Sequence, residues 1–341
     1  MIEVLTEYRV LIACVIAVGL GFVLTFPAIR LAKKFGFMDV PRDGRRMHVD
    51  PVPRIGGAAV FVAFVIALAV AGAIDEALPH LCGGLIILAV GMIDDKIGVS
   101  PMFKIGGQAL AAVVLCAFGV IPQFITVFGF TVDTWLFAYP LTVAWIVAIT
   151  NMVNLIDGVD GLCTGITIFG CGGIALVSGI FGHGLTVETA LLLLCACLGF
   201  LPHNANPAKS FLGDAGSMFF GFMLASLSIE ACYIGATHST PLSAFTPIAI
   251  LAIPIFDTCF AVVRRKMSGQ RLFEGDKKHV HHRMTDRHGI RGGVALMYLT
   301  QIVLVGIAIV LNLGLVGEII GVILLALALA YAIVRFAVIK D

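Results

Sequence analysis

The sequence predicts an all-α, polytopic integral membrane protein. Of its 341 residues, 60% are hydrophobic and 13% charged, whereas a soluble domain carries about 25% charged residues; the mean hydropathy is +1.05. Apolar runs recur along the whole chain, most of them near the roughly 20 residues that cross a bilayer core as a helix. Nearly all basic residues fall in alternate loops between those runs. A formal net charge of +1 supplies no broad basic field, so no nucleic-acid partner is expected.

The runs lie at 9–32, 55–74, 80–93, 104–121, 135–153, 162–180, 186–203, 212–232, 243–263, 294–312 and 316–338, which predicts eleven spans. Glu3 and Glu7 precede the first run, with no basic stretch before it and no small-residue cleavage site before its end. It reads as a retained helix, not a secretory signal. The third run is short for a span, but charge requires it. With the N-terminus outside, strict alternation makes the loops 33–54, 94–104, 151–161, 204–211 and 264–293 and the C-terminal tail cytoplasmic. Those loops hold nearly every Lys and Arg, from Lys33 and Lys34 through Lys209 and Arg264 to Lys340, with Arg9 the clear exception. The outside loops carry Asp75, Glu76, Asp133, Glu188 and Glu318. Removing one span would invert everything downstream and destroy this positive-inside asymmetry.

Two β-branched and aromatic stretches flank Phe128-Gly129, so a short outside β-hairpin is expected near 123–132. No long insertion or internal repeat interrupts the pattern. The whole chain, 1–341, therefore reads as a single membrane-embedded domain with functional loops at 33–54, 94–104, 151–161, 204–217 and 264–293. The nine cysteines form no CxxC pair, and most lie inside apolar runs. They read as small buried hydrophobes rather than metal ligands.

Four polar constellations interrupt the apolar background. Asp94 and Asp95 sit side by side where the third span ends. Such a pair is either a solvated helix end or a functional one, and acids at a membrane edge favour function. Asn151, Asn154, Asp157 and Asp160 crowd into ten residues, with Gly158 and Gly161 after the two carboxylates. Hard oxygen ligands at that density suit Mg²⁺ or sugar hydroxyls, and the glycines allow tight bending. Asp214 opens the eighth span within Phe211-Leu212-Gly213-Asp214-Ala215-Gly216-Ser217. It reads equally as a cation ligand beside an anion-binding helix start or as a plain N-cap. His279, His281, His282 and Arg283 follow Lys277 and Lys278 in the longest cytoplasmic loop. Their spacing is poor for zinc but suits a diphosphate-binding loop. A weaker fifth group is Asp39, His48 and Arg54. All five fall on one face of the membrane. Carboxylates for a cation and bases for phosphate, set at a lipid surface, point to phosphoryl transfer, in which the protein positions reactants and neutralises charge.

Taken in order, Asp94-Asp95, the run from Asn154 to Leu162, the run from Phe211 to Ser217 and His279-Val280-His281-His282-Arg283 resemble the polyprenyl-phosphate N-acetylhexosamine-1-phosphate transferases. This family includes the undecaprenyl-phosphate GlcNAc-1-phosphate transferases of the WecA and TagO type and the related MraY branch. The motifs span roughly 35–290, and the number of runs extends the likeness to the rest. The resemblance implies a glycosyl-1-phosphate transferase of the bacterial inner (cytoplasmic) membrane with its active site facing the cytoplasm. Its substrates would be UDP-GlcNAc and undecaprenyl phosphate, its products undecaprenyl-diphospho-GlcNAc and UMP, and its role the initiation of a cell-surface polysaccharide. It also implies Mg²⁺, with Mn²⁺ as a substitute, and a homodimer. Residue by residue, it implies Asp94 as the base for the lipid phosphate, with Asp95 sharing that role or placing the metal. Asp214 would bind the metal, and Asn154, Asp157 and Asp160 would form the nucleotide and metal loop. Phe211 would stack on uracil and Lys104 would touch phosphate. His279, His281 and His282 would read the sugar-nucleotide end, beside Arg283 and the weaker candidates Asp39, His48 and Arg54. A single aliphatic residue between the first histidine and the histidine pair points to the GlcNAc branch. A phospho-MurNAc-pentapeptide transferase is the alternative within the class. A secondary transporter, the alternative outside it, needs acids near mid-membrane.

Overall fold

The computed structural model describes residues 2–39, 51–233, 244–267, 269 and 279–333. Each predicted run becomes a helix, with one exception that is broken in two. The order is α1 (Ile2–Phe35), β1 (Met38–Asp39), β2 (Val52–Pro53), α2 (Gly56–Ala71), α3 (Leu78–Ile97), α4 (Pro101–Ala117), β3 (Phe124–Val127), β4 (Phe130–Asp133), α5 (Ala138–Ile156), α6 (Leu162–Ile180), α7 (Gly184–Asn204), α8 (Gly213–Tyr233), α9 (Phe245–Ile250), α10 (Ala252–Met267), α11 (Val280–Val310) and α12 (Gly314–Ile333). By length and composition, eight of the described helices can cross a membrane. The protein is a multi-pass, mostly helical chain. α2 and α4 are apolar but shorter. The expected hairpin is present: β3 pairs antiparallel with β4, Phe124 opposite Asp133 and Val127 opposite Phe130. All nine cysteines are free thiols.

The predicted run 243–263 is the broken one. Pro254 has no N–H to offer the carbonyl of Ile250 four residues back. Gln301 of α11 fills that role, its Nε2 donating to the Ile250 oxygen at 2.6 Å. A polar side chain at mid-bundle thus repairs a break that lipid could not solvate. α11 contains a second interruption, at Gly289 (φ 71°, ψ 163°), which separates its histidine-bearing start from the apolar remainder.

α8 is the axis of the bundle. Its most apolar window is 94% buried, whereas that of the peripheral α12 is 17% buried. Small residues let its neighbours approach. A Cβ on Gly57 of α2 would overlap Gly216 of α8, and one on Gly91 of α3 would overlap Ala215. A Cβ on Gly221 of α8 would come within 2.6 Å of Thr150 of α5. Close backbone approach through small residues is the usual means of association between membrane helices, where lipid is as apolar as the side chains. The consequence for function is positional: the start of α8, bearing Asp214, is wedged among the ends of α2, α3 and α5.

Candidate active site

The polar constellations converge at one end of the bundle, away from the hairpin. Lys104, in the first turn of α4, lies between two carboxylates: Nζ donates to Asp94 Oδ2 at 2.9 Å and to Asp214 Oδ2 at 2.7 Å. The turn between α3 and α4 is fixed at both ends. Asp94 Oδ1 accepts from the Val99 N–H at 2.7 Å, and Ser100 caps α4 by accepting from the Phe103 N–H at 3.3 Å. The Asp94 and Asp214 carboxyls also lie within hydrogen-bond reach of each other. Two acids share one ammonium, so the cluster keeps an excess of negative charge.

Adjacent in sequence, Asp94 and Asp95 diverge in space. Asp95 turns to the start of α8, where Oδ1 accepts from the Asp214 N–H at 2.9 Å and Oδ2 from the Ala215 N–H at 3.1 Å. It caps a helix that its own helix packs against, a favourable place for a carboxylate. Gly213 makes the approach possible: its φ is +73°, and a Cβ there would meet Asp95 Oδ2 at 2.5 Å. In this arrangement the carboxylate that faces Lys104 is Asp94.

The second constellation forms the turn from α5 to α6. Asn154 donates from Nδ2 to Ser217 Oγ of α8 at 2.8 Å. Asp157 follows the last residue of α5. Burial first, then the nearby Asp214 charge, push its carboxyl well above the usual range, against the pull of Arg54. Asp160 is committed to the chain itself: Oδ2 accepts from Asn206 Nδ2 at 2.9 Å and from the Ala208 N–H at 3.1 Å. Arg291 reaches the same loop, donating to the Asn206 carbonyl at 3.1 Å. Tyr298 Oη donates to the Gly161 carbonyl at 2.6 Å. Asp160 and its partners therefore set the path of 205–210 toward Phe211.

Arg54 and Phe211 lie side by side as a parallel bridge. The Phe211 N–H donates to Pro53 at 2.8 Å, and the Gly56 N–H donates back to Phe211 at 2.9 Å. Phe211 is half-buried and Asp39 buried, the latter in register with Val52. His48 lies outside the described residues.

The histidines approach from α10 and α11. His279 and His281 stack at 5.3 Å, and His281 and His282 lie 4.3 Å apart. His281 and His282 pack on Gly158: a Cβ there would stand 3.2 Å from His281 Nε2 and 3.3 Å from His282 Nε2. The fourth constellation thus touches the second. Arg283 continues the same turn, its N–H donating to the His279 carbonyl at 3.2 Å. Asp257 of α10, which sequence reasoning missed, binds this group: Oδ2 is 2.7 Å from His279 Nδ1 and 3.1 Å from His281 Nδ1. Asn206, Ser217, Arg291 and Tyr298 were also missed. Each is an ordinary polar residue in sequence, and only the fold reveals its partner.

Fold and site together define a multi-pass membrane protein with carboxylates, one lysine and imidazoles gathered at one end of its helix bundle. Residues 77–232 match the model of glycosyl transferase family 4. The chain is 36% identical over 280 residues, 81% of its length and 77% of the relative's, to a probable undecaprenyl-phosphate N-acetylglucosaminyl 1-phosphate transferase of Bacillus subtilis (strain 168). It is 35% identical over 306 residues, 81% of its length and 76% of the relative's, to the decaprenyl-phosphate N-acetylglucosaminephosphotransferase of Mycobacterium tuberculosis (strain ATCC 25618 / H37Rv). To the undecaprenyl-phosphate alpha-N-acetylglucosaminyl 1-phosphate transferase of Escherichia coli (strain K12) it is 28% identical over 307 residues, 86% of its length and 80% of the relative's. The protein belongs to glycosyl transferase family 4.

Proposed function

We propose that the protein transfers GlcNAc-1-phosphate from UDP-GlcNAc to undecaprenyl phosphate, releasing UMP. The observation that carries the reading is the Asp94–Lys104–Asp214 cluster facing the Asp157 turn, in a chain related over most of its length to enzymes named for that transfer. The distribution of Lys and Arg along the sequence supports a cytoplasmic position for the site. A soluble nucleotide sugar would meet a membrane-held phosphate there. The product would prime a cell-surface polymer.

In the overall exchange, an oxygen of the lipid phosphate becomes bonded to the sugar-proximal phosphorus. The bond from that phosphorus to the oxygen shared with the UMP half breaks, and UMP leaves with the electron pair. Asp94 would take the proton when the lipid phosphate enters as its monoanion. Lys104 bridges Asp94 and Asp214 and brings the one ammonium of the cluster to the anionic reactants. Phe211 offers an aromatic face for the base. The imidazoles and Arg283 supply hydrogen-bonding groups for the sugar and the diphosphate. Mg²⁺ suits hard carboxylate oxygens such as those of Asp157 and Asp214, whose repulsion a divalent cation would relieve. Asp214 and Asp157 would hold it with Asn154, and Mn²⁺ shares the preference for such ligands. When bound, the ion would neutralise charge on the diphosphate.

The test is UMP release by the purified full chain in detergent with UDP-GlcNAc and Mg²⁺. Release that requires undecaprenyl phosphate is expected, and it should persist when UDP-MurNAc-pentapeptide is added as a competitor. No UMP under these conditions would overturn the reading.

A further inference from the structure

Asp257 lies in a predicted apolar span, yet its carboxylate is almost fully buried, at 2% exposure. A buried carboxylate is tolerated only when its oxygens are satisfied, and this one is satisfied almost wholly by histidines. Oδ2 is 2.7 Å from Nδ1 of His279 and 3.1 Å from Nδ1 of His281, while Oδ1 accepts from the His281 backbone N–H at 3.3 Å. An ionised carboxylate only accepts hydrogen bonds. Both Nδ1 atoms must therefore carry protons, and each ring is left with Nε2 as its reactive edge. Nε2 of His281 is buried and has no hydrogen-bond partner among the described residues. It faces Gly158, where a Cβ would stand 3.2 Å away. Leaving such an atom unpaired costs about 1–3 kcal/mol, and any side chain at 158 would crowd it further.

We propose that Asp257 is a positioning residue that fixes His279 and His281 as Nδ1–H tautomers, so that Nε2 of His281 is left as an acceptor for a hydroxyl of the bound sugar beside the 157–161 turn. In its substrate, this rests on the transferase reading above. In its tautomers it does not. The same three residues bring ligand-type atoms within 4.8 Å of one another, so a bound transition metal is the rival arrangement. It predicts the opposite protonation, because a metal takes the lone pair of an unprotonated Nδ1.

The test uses the full chain in lipid nanodiscs with ¹⁵N-labelled histidine. Two-bond ¹H–¹⁵N correlations report which ring nitrogen carries a proton, and His279→Gln and His281→Gln assign the signals. The wild type is expected to show both rings protonated at Nδ1, and Asp257→Asn to lose that pattern. The same variant is expected to lower turnover of UDP-GlcNAc about tenfold or more, as loss of a tautomer-fixing partner does elsewhere, with UMP affinity unchanged. Asp257→Glu, which keeps the charge, is expected to recover part of the rate. Unprotonated Nδ1 atoms in the wild type, with a stoichiometric metal retained, would overturn the proposal. So would an Asp257→Asn protein with unchanged tautomers and rate. If Asp257→Asn does not fold, the wild-type spectrum alone decides. If the wild type shows the expected tautomers but never releases UMP, the substrate reading falls and the positioning role stands.

Discussion

Asp94 and Asp95 are chemically identical neighbours, and the structure gives them separable roles that a pair of substitutions can distinguish. Asp95 accepts from the N–H groups of Asp214 and Ala215, in the first turn of α8, at 2.9 and 3.1 Å. In Asp95→Ala both bonds vanish. The Asp214 N–H is half-buried and water can replace the lost partner, so its share is near the usual helix-cap value of about 1 kcal/mol. The Ala215 N–H belongs to a buried residue. Losing a charged acceptor there costs about 1.5–3 kcal/mol, for a total of about 2–4 kcal/mol. In Asp95→Asn one oxygen remains and the amide NH₂ confronts the second N–H, so about 1–2 kcal/mol is lost. Thermal unfolding followed by the fluorescence of Trp135 and Trp145 should place the variants in the order wild type, Asn, Ala. At about 2–4 °C per kcal/mol for large domains, Asp95→Ala should fall by on the order of 5 °C or more. Asp95→Asn should keep measurable UMP release, because Asp214 stays where α8 puts it. Asp94→Asn, which keeps one oxygen for the Val99 N–H, should release no UMP whatever its melting temperature. An Asp95→Asn protein that melts like wild type and is as inactive as Asp94→Asn would refute this reasoning, since Asp95 would then act on the substrate itself.

Other consequences follow from the same geometry. Lys104→Met removes two charge-assisted bonds and leaves the Asp94 and Asp214 carboxyls facing each other; turnover should fall by about 10²-fold or more, measured as UMP release at saturating substrates. Gly57→Ala and Gly91→Ala drive a methyl group into the backbone of α8, so each should lower the melting temperature by an amount equivalent to about 1–3 kcal/mol. The raised carboxyl of Asp157 makes the folded state hold a proton that the unfolded chain releases above about pH 4. Without divalent cations, stability should therefore fall as pH rises from that point through the raised folded-state pKa. Asp157→Asn should flatten the slope, and Mg²⁺ should raise the melting temperature most at the alkaline end.

What the sequence made legible, and what it hid, follows from the range of the interactions concerned. Each apolar run is a local signal, and each became a helix; the run at 243–263 became two because of Pro254, itself visible in the sequence. Its repair by Gln301 was not visible, because the partner lies 51 residues away. The polar constellations stood out because charge is rare in this chain, and the fold brings four of them to one end of the bundle. Within them, composition could not assign roles. Asp160 matches Asp157 in type and in its following glycine, yet it holds the 205–210 loop while Asp157 faces Asp214. Asp257 escaped notice for the opposite reason. A lone acid in an apolar run reads as an interruption of a span, and nothing local announces that two imidazoles more than twenty residues later will neutralise it. In a membrane an unpaired carboxylate is too costly to keep. The absence of a local partner for Asp257 was therefore itself a signal that a distant one exists.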